Sequence, residues 1–225
     1  QHKGSLLAFI AVMLITPDSI FIRLSNIETW GMLFYRGAIP FVVVLIGLIF
    51  FYKNNLLKAL LGMGYPGIFY VISFSICNIT FLISIQNTNV ANTLVMIAMA
   101  PMLSAILGSI FLREVPDQKT WIAIIITLIS VTYIFYDSIE MGNFYGDLFG
   151  IITAFGLACN AVIARFAKDR DLVPSAVIGK LCVAIFAFLF VDSFSLVGTD
   201  LIIVPLMCVM CVAIPFVLVT IAPRF

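Results

Sequence analysis

The stretch AVMLITPDSIFIRL, residues 11–24, is an apolar run that carries Pro17, Asp18 and Arg23 near one end. Arg36, Asn78, Asn160 and Lys180 also lie inside long apolar stretches. A charge turned toward lipid is costly, so intramembrane ions face a bundle interior or a water-filled cavity, where they mark solute and proton pathways. A guanidinium keeps its charge and grips a carboxylate or phosphate with two parallel bonds, which makes Arg36 the first substrate-binding candidate. Asp18 is a second, and a carboxylate out of water can also exchange a proton. Pro17 removes a backbone hydrogen bond directly before Asp18 and opens the helix there.

Depth along the chain puts the two charges at a similar level, where they could meet. At about 1.5 Å per residue, Asp18 lies five residues before Arg23, and Arg36 lies six residues after Trp30 on the returning helix. Three readings stay open for them: a solute or proton site, a pair that fixes helix packing, or two groups reaching for the outer interface. Lys180 has the same choice between a substrate contact and a long stem extended to the cytoplasmic face. For Asn78 and Asn160 the choice is between lining a cavity and bonding across helices. Pro101 lies within an apolar run and is expected, like Pro17, to act as a hinge. Ala100, Ser104 and Gly108 repeat at four-residue spacing and put small side chains on one helix face, which allows close helix approach.

The elements that must carry these residues follow from composition. Of 225 residues, 63% are hydrophobic and only 10% charged, too little charge to cover a water-soluble surface. The expected fold is all-α, a polytopic membrane helix bundle. A spanning helix needs about 20 apolar residues, and eight such runs are read at 5–22, 31–52, 66–85, 90–112, 120–136, 148–164, 174–191 and 202–222. Lys3, Lys53, Lys58, Arg113, Lys119, Arg165, Lys168, Arg170 and Arg224 all fall on one side of this arrangement, and Arg23 alone on the other. That bias places the N-terminus in the cytoplasm. The acids Glu28, Asp137, Glu140 and Asp200 fall in the outer segments.

Composition also excludes several functions. The net charge is +1 with both signs mixed, so nucleic acid is not an expected partner. The one histidine, His2, is at the chain start, and the five cysteines lie in apolar runs. Metal clusters and the usual catalytic constellations are therefore missing. No enzyme activity and no cofactor are expected, and Cys208 and Cys211, though spaced C-x-x-C, are read as small apolar residues.

Residues 4–23 and 146–165 align without gaps, so that Asp18 faces Asn160, Arg23 faces Arg165 and, past a two-residue insertion, Arg36 faces Lys180. Five helices per copy is an odd number, which turns the second copy over, and inverted repeats are common in secondary transporters. The first repeat is expected over 1–140 and the second over 141–225. On this reading eight helices of an expected ten fall within the sequence.

The run PDSIFIRL, the Arg in YRG early in the second helix, the AMAP element and the FLREVP end of the fourth helix together resemble the drug/metabolite transporter superfamily, EamA-type. The resemblance spans nearly the whole chain. It implies a ten-helix, multi-pass inner-membrane carrier of two inverted five-helix halves, moving small metabolites by alternating access. An anionic or zwitterionic solute such as an amino acid, nucleotide or S-adenosylmethionine is expected, because Arg36 and Lys180 outnumber Asp18. The rival readings are a non-transporting sensor or assembly protein of the same fold and a multidrug exporter of cationic compounds. Beyond the solute and the bilayer no partner is implied, and the oligomeric state is open.

Overall fold

The computed structural model describes residues 2–53, 56–114, 116–140, 144–192 and 194–221. Arg224, counted above among the inner cations, lies outside the described residues. The described chain is helical and contains no strand. Its helices are α1 (His2–Ile15), α2 (Asp18–Leu24), α3 (Thr29–Tyr52), α4 (Leu56–Leu61), α5 (Gly64–Asn87), α6 (Val90–Ile97), α7 (Ala100–Phe111), α8 (Gln118–Glu140), α9 (Phe144–Phe166), α10 (Val173–Phe188), α11 (Asp200–Met207) and α12 (Ile214–Ile221). A π-helical segment, Cys208–Ala213, joins α11 to α12.

Five of these stretches are long and apolar enough to cross a bilayer: Thr29–Tyr52, Gly64–Asn87, Val90–Phe111, Phe144–Phe166 and Asp200–Leu218. Gln118–Tyr133 and Val173–Phe188 are shorter apolar helices. Large apolar side chains such as Phe50, Phe51, Ile129 and Ile202 are exposed, whereas Asp18, Arg36 and Lys180 are at most 6% exposed. An apolar exterior over a charged interior suits lipid as solvent. The protein is an integral, multi-pass membrane protein built as a helix bundle.

Three of the apolar runs are interrupted rather than continuous. The first breaks at Thr16–Pro17, because Pro17 has no N–H to donate to the carbonyl of Met13. There Thr16 closes α1 onto the carbonyl of Val12, and Ile20 and Phe21 open α2 on the carbonyl of Pro17. The fourth run breaks at Ala98–Met99, a turn before the expected hinge at Pro101, and the Met99 N–H bonds three residues back to Met96. The eighth run widens into the π-helical segment three residues after Pro205. Helix α4 was not foreseen, being a six-residue connector between longer runs.

The helices group into two units, Gln1–Gly67 with Asp171–Phe225, and Ile68–Arg170. Each draws on both halves of the sequence. In the first unit α3 runs antiparallel to α10, and Val44, Leu48, Val173, Val177 and Ala213 form its apolar core. The closest approach is at Gly37, where a Cβ would sit 2.6 Å from the backbone nitrogen of Ala184. In the second unit α6, α7 and α8 pack on α9 around Met96, Met99, Met102, Ile124, Val131 and Ala154. The three methionines are thus core.

Candidate functional site

In the first unit the break after α1 and the π-helical segment frame one cluster of charges. Pro17 starts α2 so that Asp18 occupies its first turn, buried at 4% exposure. Arg36 projects from α3 and meets it with both nitrogens: Nη1 donates to Oδ1 at 2.5 Å and Nη2 to Oδ2 at 2.9 Å. This is the two-pronged geometry that a guanidinium offers a carboxylate. Arg36 Nη1 also lies 3.8 Å from Met207 Sδ, at the end of α11. Cys208, first residue of the π-helical segment, is within electrostatic reach of Asp18, Arg36 and Lys180.

Lys180 belongs to this cluster through the packing of α3 on α10. With no side chain at Gly37, Ala184 comes against the α3 backbone, and Lys180 lies one turn earlier on α10. It is 4% exposed, so its stem does not extend to a surface. Asp18, Arg36 and Lys180 are thus all buried in this unit, one acidic and two basic side chains. Beside it, a groove of about 270 Å³ is lined by apolar side chains, among them Phe34, Phe41, Leu181 and Phe188. A polar solute gains nothing there, so the charged cluster is the better candidate site.

Aromatic side chains cover the N-terminal end of α3. Trp30 stacks on Phe190 at 4.9 Å between ring centres, with Phe186 edge-on at 6.1 Å. Tyr35, next to Arg36, donates its hydroxyl to the carbonyl of Phe194 at 2.6 Å. Trp30 thus packs within an aromatic group.

The other two polar candidates are in the second unit. Asn78 is half-buried on α5 and donates Nδ2 to the carbonyl of Phe74 on its own helix. Asn160, on α9, is 7% exposed, and its Oδ1 has no hydrogen-bond partner among the described residues. The small-residue face of α7 takes the Arg165 side chain of α9, the helix on which α7 packs. Arg165 donates to Glu114 Oε2 and, through Nη2, to the Ser104 carbonyl and hydroxyl at 3.0 and 2.8 Å. A Cβ at Gly108 would come within 3.0 Å of both Arg165 Nη2 and Glu114 Oε2. Arg113, at φ 56, takes the left-handed conformation that ends α7 and turns Glu114 back toward the helix. The Arg165 and Glu114 side chains are 41% and 48% exposed, and a wet pair adds little. Glu114→Gln should change the denaturation midpoint by the equivalent of less than about 1 kcal/mol.

Residues missed from the sequence are instructive. Asp147 is 0% exposed in the first turn of α9, and Asp200 4% exposed in the first turn of α11. Both lie at the edge of an apolar run, where an acid reads as a loop residue. Met207 and the π-helical segment carried one usable signal, Pro205 inside the eighth run. Among the described residues no group of three or more His, Cys, Asp or Glu side chains is placed to hold a metal ion.

Residues 2–136 match the model of the EamA-like transporter family. Neither the curated proteins nor the solved structures include a match to the chain.

Proposed function

The chain belongs to the EamA-like transporter family, a family of membrane transporters, and from that premise we propose that it is a secondary carrier of a small anionic or zwitterionic metabolite. The observation that carries the reading is the two-pronged Arg36–Asp18 pair, buried in a framework of interrupted helices with Lys180 nearby. Broken and widened helices are where carriers place polar sites, because backbone groups are freed there. An entering carboxylate or phosphate competes with Asp18 for the guanidinium fork. Lys180 adds a second basic side chain nearby, so basic groups outnumber the one acid, which favours an anionic or zwitterionic solute over a cationic one. Alternating access needs elements with more than one arrangement, and the interruptions at Thr16–Pro17, Ala98–Met99 and Cys208–Ala213 supply hinge positions. The distribution of Lys and Arg supports a cytoplasmic N-terminus. An inverted pair of repeats, with five helices over 1–140 and three of five over 141–225, completes this reading.

Counterflow tests it. Liposomes carrying the protein are loaded with alanine, glutamate, AMP or S-adenosylmethionine, and uptake of the labelled solute is followed. Exchange of one of these is expected. Arg36→Gln should slow it about 10- to 100-fold, the equivalent of losing one or two charge-assisted hydrogen bonds. Exchange that survives the substitution would make Arg36 structural. No exchange by folded wild-type protein would favour the sensor reading.

A further inference from the structure

Asp147 has neither oxygen hydrogen-bonded among the described residues, although the residue is fully buried. Its surroundings are polar but occupied. Gly146, just before it, packs so closely on the end of α5 that a Cβ would lie 2.5 Å from the carbonyl carbon of Asn87. Gly150, one turn on, faces Met96 Cβ at 3.0 Å and Ser84 Oγ at 3.1 Å from an ideal Cβ, so one apolar and one hydroxyl side chain close this side. The hydroxyls near this contact are used by one another: Ser84 Oγ and Thr93 Oγ1 are 2.9 Å apart, and Thr88 Oγ1 accepts from Asn92 Nδ2 at 3.5 Å. Further along the same seam Thr80 and Thr153 pair at 2.8 Å, and Ser73 donates to the Gly156 carbonyl.

A bare carboxylate in such a place is costly enough that it holds a counter-charge or is neutralised. A metal ion would need about six oxygens around it, and the nearby hydroxyls are committed to each other. A proton needs only one oxygen. The cations of the second unit do not serve: Arg165 is at the far end of α9 with Glu114, Lys168 and Arg170 follow that end, Arg113 ends α7 and Lys119 opens α8. Of the other titratable groups on elements packed here, α6 and α7 have none. On α5 lie Tyr65, Tyr70 and Cys77, all well short of the Ser84–Asn87 turn, and on α9 Tyr145, which is exposed, and Cys159. On α8 lie Tyr133 and Tyr136, both exposed, and Asp137 and Glu140, whose side chains are outside the description. Asp18, the buried acid beside the Pro17 break in the first unit, is already committed to Arg36.

We infer that Asp147 is a proton-binding site, a carboxyl group that takes up one proton and releases it during the transport cycle. The site itself stands on burial and missing partners, while its coupling to solute movement rests on the carrier reading above. The first measurement needs no solute. Infrared spectra of the protein in phosphatidylethanolamine–phosphatidylglycerol liposomes at neutral pH, wild type minus Asp147→Asn, should contain the carbonyl stretch of a protonated carboxyl group. Asp147→Glu, which keeps the acid if the amide variant fails to fold, should shift that band. An ionised-carboxylate band in its place, or one that appears only when sodium replaces choline, overturns the inference in favour of an ion pair or a metal ion. The second measurement imposes a pH gradient on the counterflow liposomes. Wild type should accumulate the exchanged solute above its external concentration and Asp147→Asn should not. Wild-type counterflow that ignores the gradient overturns the coupling and leaves the carrier standing. Absence of counterflow with every solute counts against the carrier, and the infrared band then decides Asp147 alone.

Discussion

Arg36→Gln is expected to destabilise the fold by about 3–5 kcal/mol, the range for breaking a buried ion pair by removing one partner. The cause is less the lost attraction than the Asp18 carboxylate left buried without its two donors. Asp18→Asn should be nearly as damaging, since it strands the guanidinium. The double variant Asp18→Leu, Arg36→Met should recover most of the loss, because replacing a buried pair by apolar side chains is often neutral or stabilising. Reversible unfolding in mixed micelles, read as a double-mutant cycle, measures these terms, and a cycle with no coupling between the two positions would refute the pairing. The double variant also separates stability from transport. A protein that folds normally but no longer exchanges solute is expected, as the pair would then be kept for what it binds.

The second large effect is expected at Gly37. Replacing a mid-helix glycine with alanine usually gains about 1 kcal/mol of helix propensity. Here the new methyl would lie 2.6 Å from the Ala184 nitrogen and 2.9 Å from its Cα. These are backbone atoms, which cannot turn aside as a flexible side chain can, so α10 must move as a body. Overpacking of this kind costs about 1–3 kcal/mol, enough to outweigh the propensity gain. Gly37→Val should cost more than Gly37→Ala. Both should lower transport beyond their effect on stability, because moving α10 carries Lys180 away from Arg36. A Gly37→Ala variant more stable than wild type in thermal unfolding would show that the α3–α10 approach is looser than described. Gly47, with nothing within 4 Å of its ideal Cβ, is the control, and Gly47→Ala should be neutral or mildly stabilising.

Much of the candidate site was legible because its signals are local. Asp18 and Arg36 stood out as charges in apolar sequence, and their similar depth followed from helical rise alone. That they meet depends on which way α2 and α3 are turned about their axes, and hydropathy does not report rotation. Lys180 could be read as reaching a surface or a site, and burial against α3 removes the first. Asn78 spends its amide on its own helix, a bond no spacing rule distinguishes from one across helices. Asp147 and Asp200 were missed for the opposite reason. Each sits at a run's edge, where one turn of helix decides between water and interior.

The sequence by itself determined that this is a helical membrane protein with its charges inside, because hydropathy, scarcity of charge and proline are properties of short segments. It also pointed to where the first and fourth runs are weakened, at Pro17 and Pro101, since a proline lacks its donor wherever the fold puts it. Only the tertiary structure decided which charges pair, that Gly37 brings α10 close enough to add Lys180 to them, and that Asp147 lies buried without a partner. Those outcomes depend on the rotation and approach of helices distant in sequence, where a shift of one turn moves a side chain by about 5 Å and separates a salt bridge from an orphaned charge.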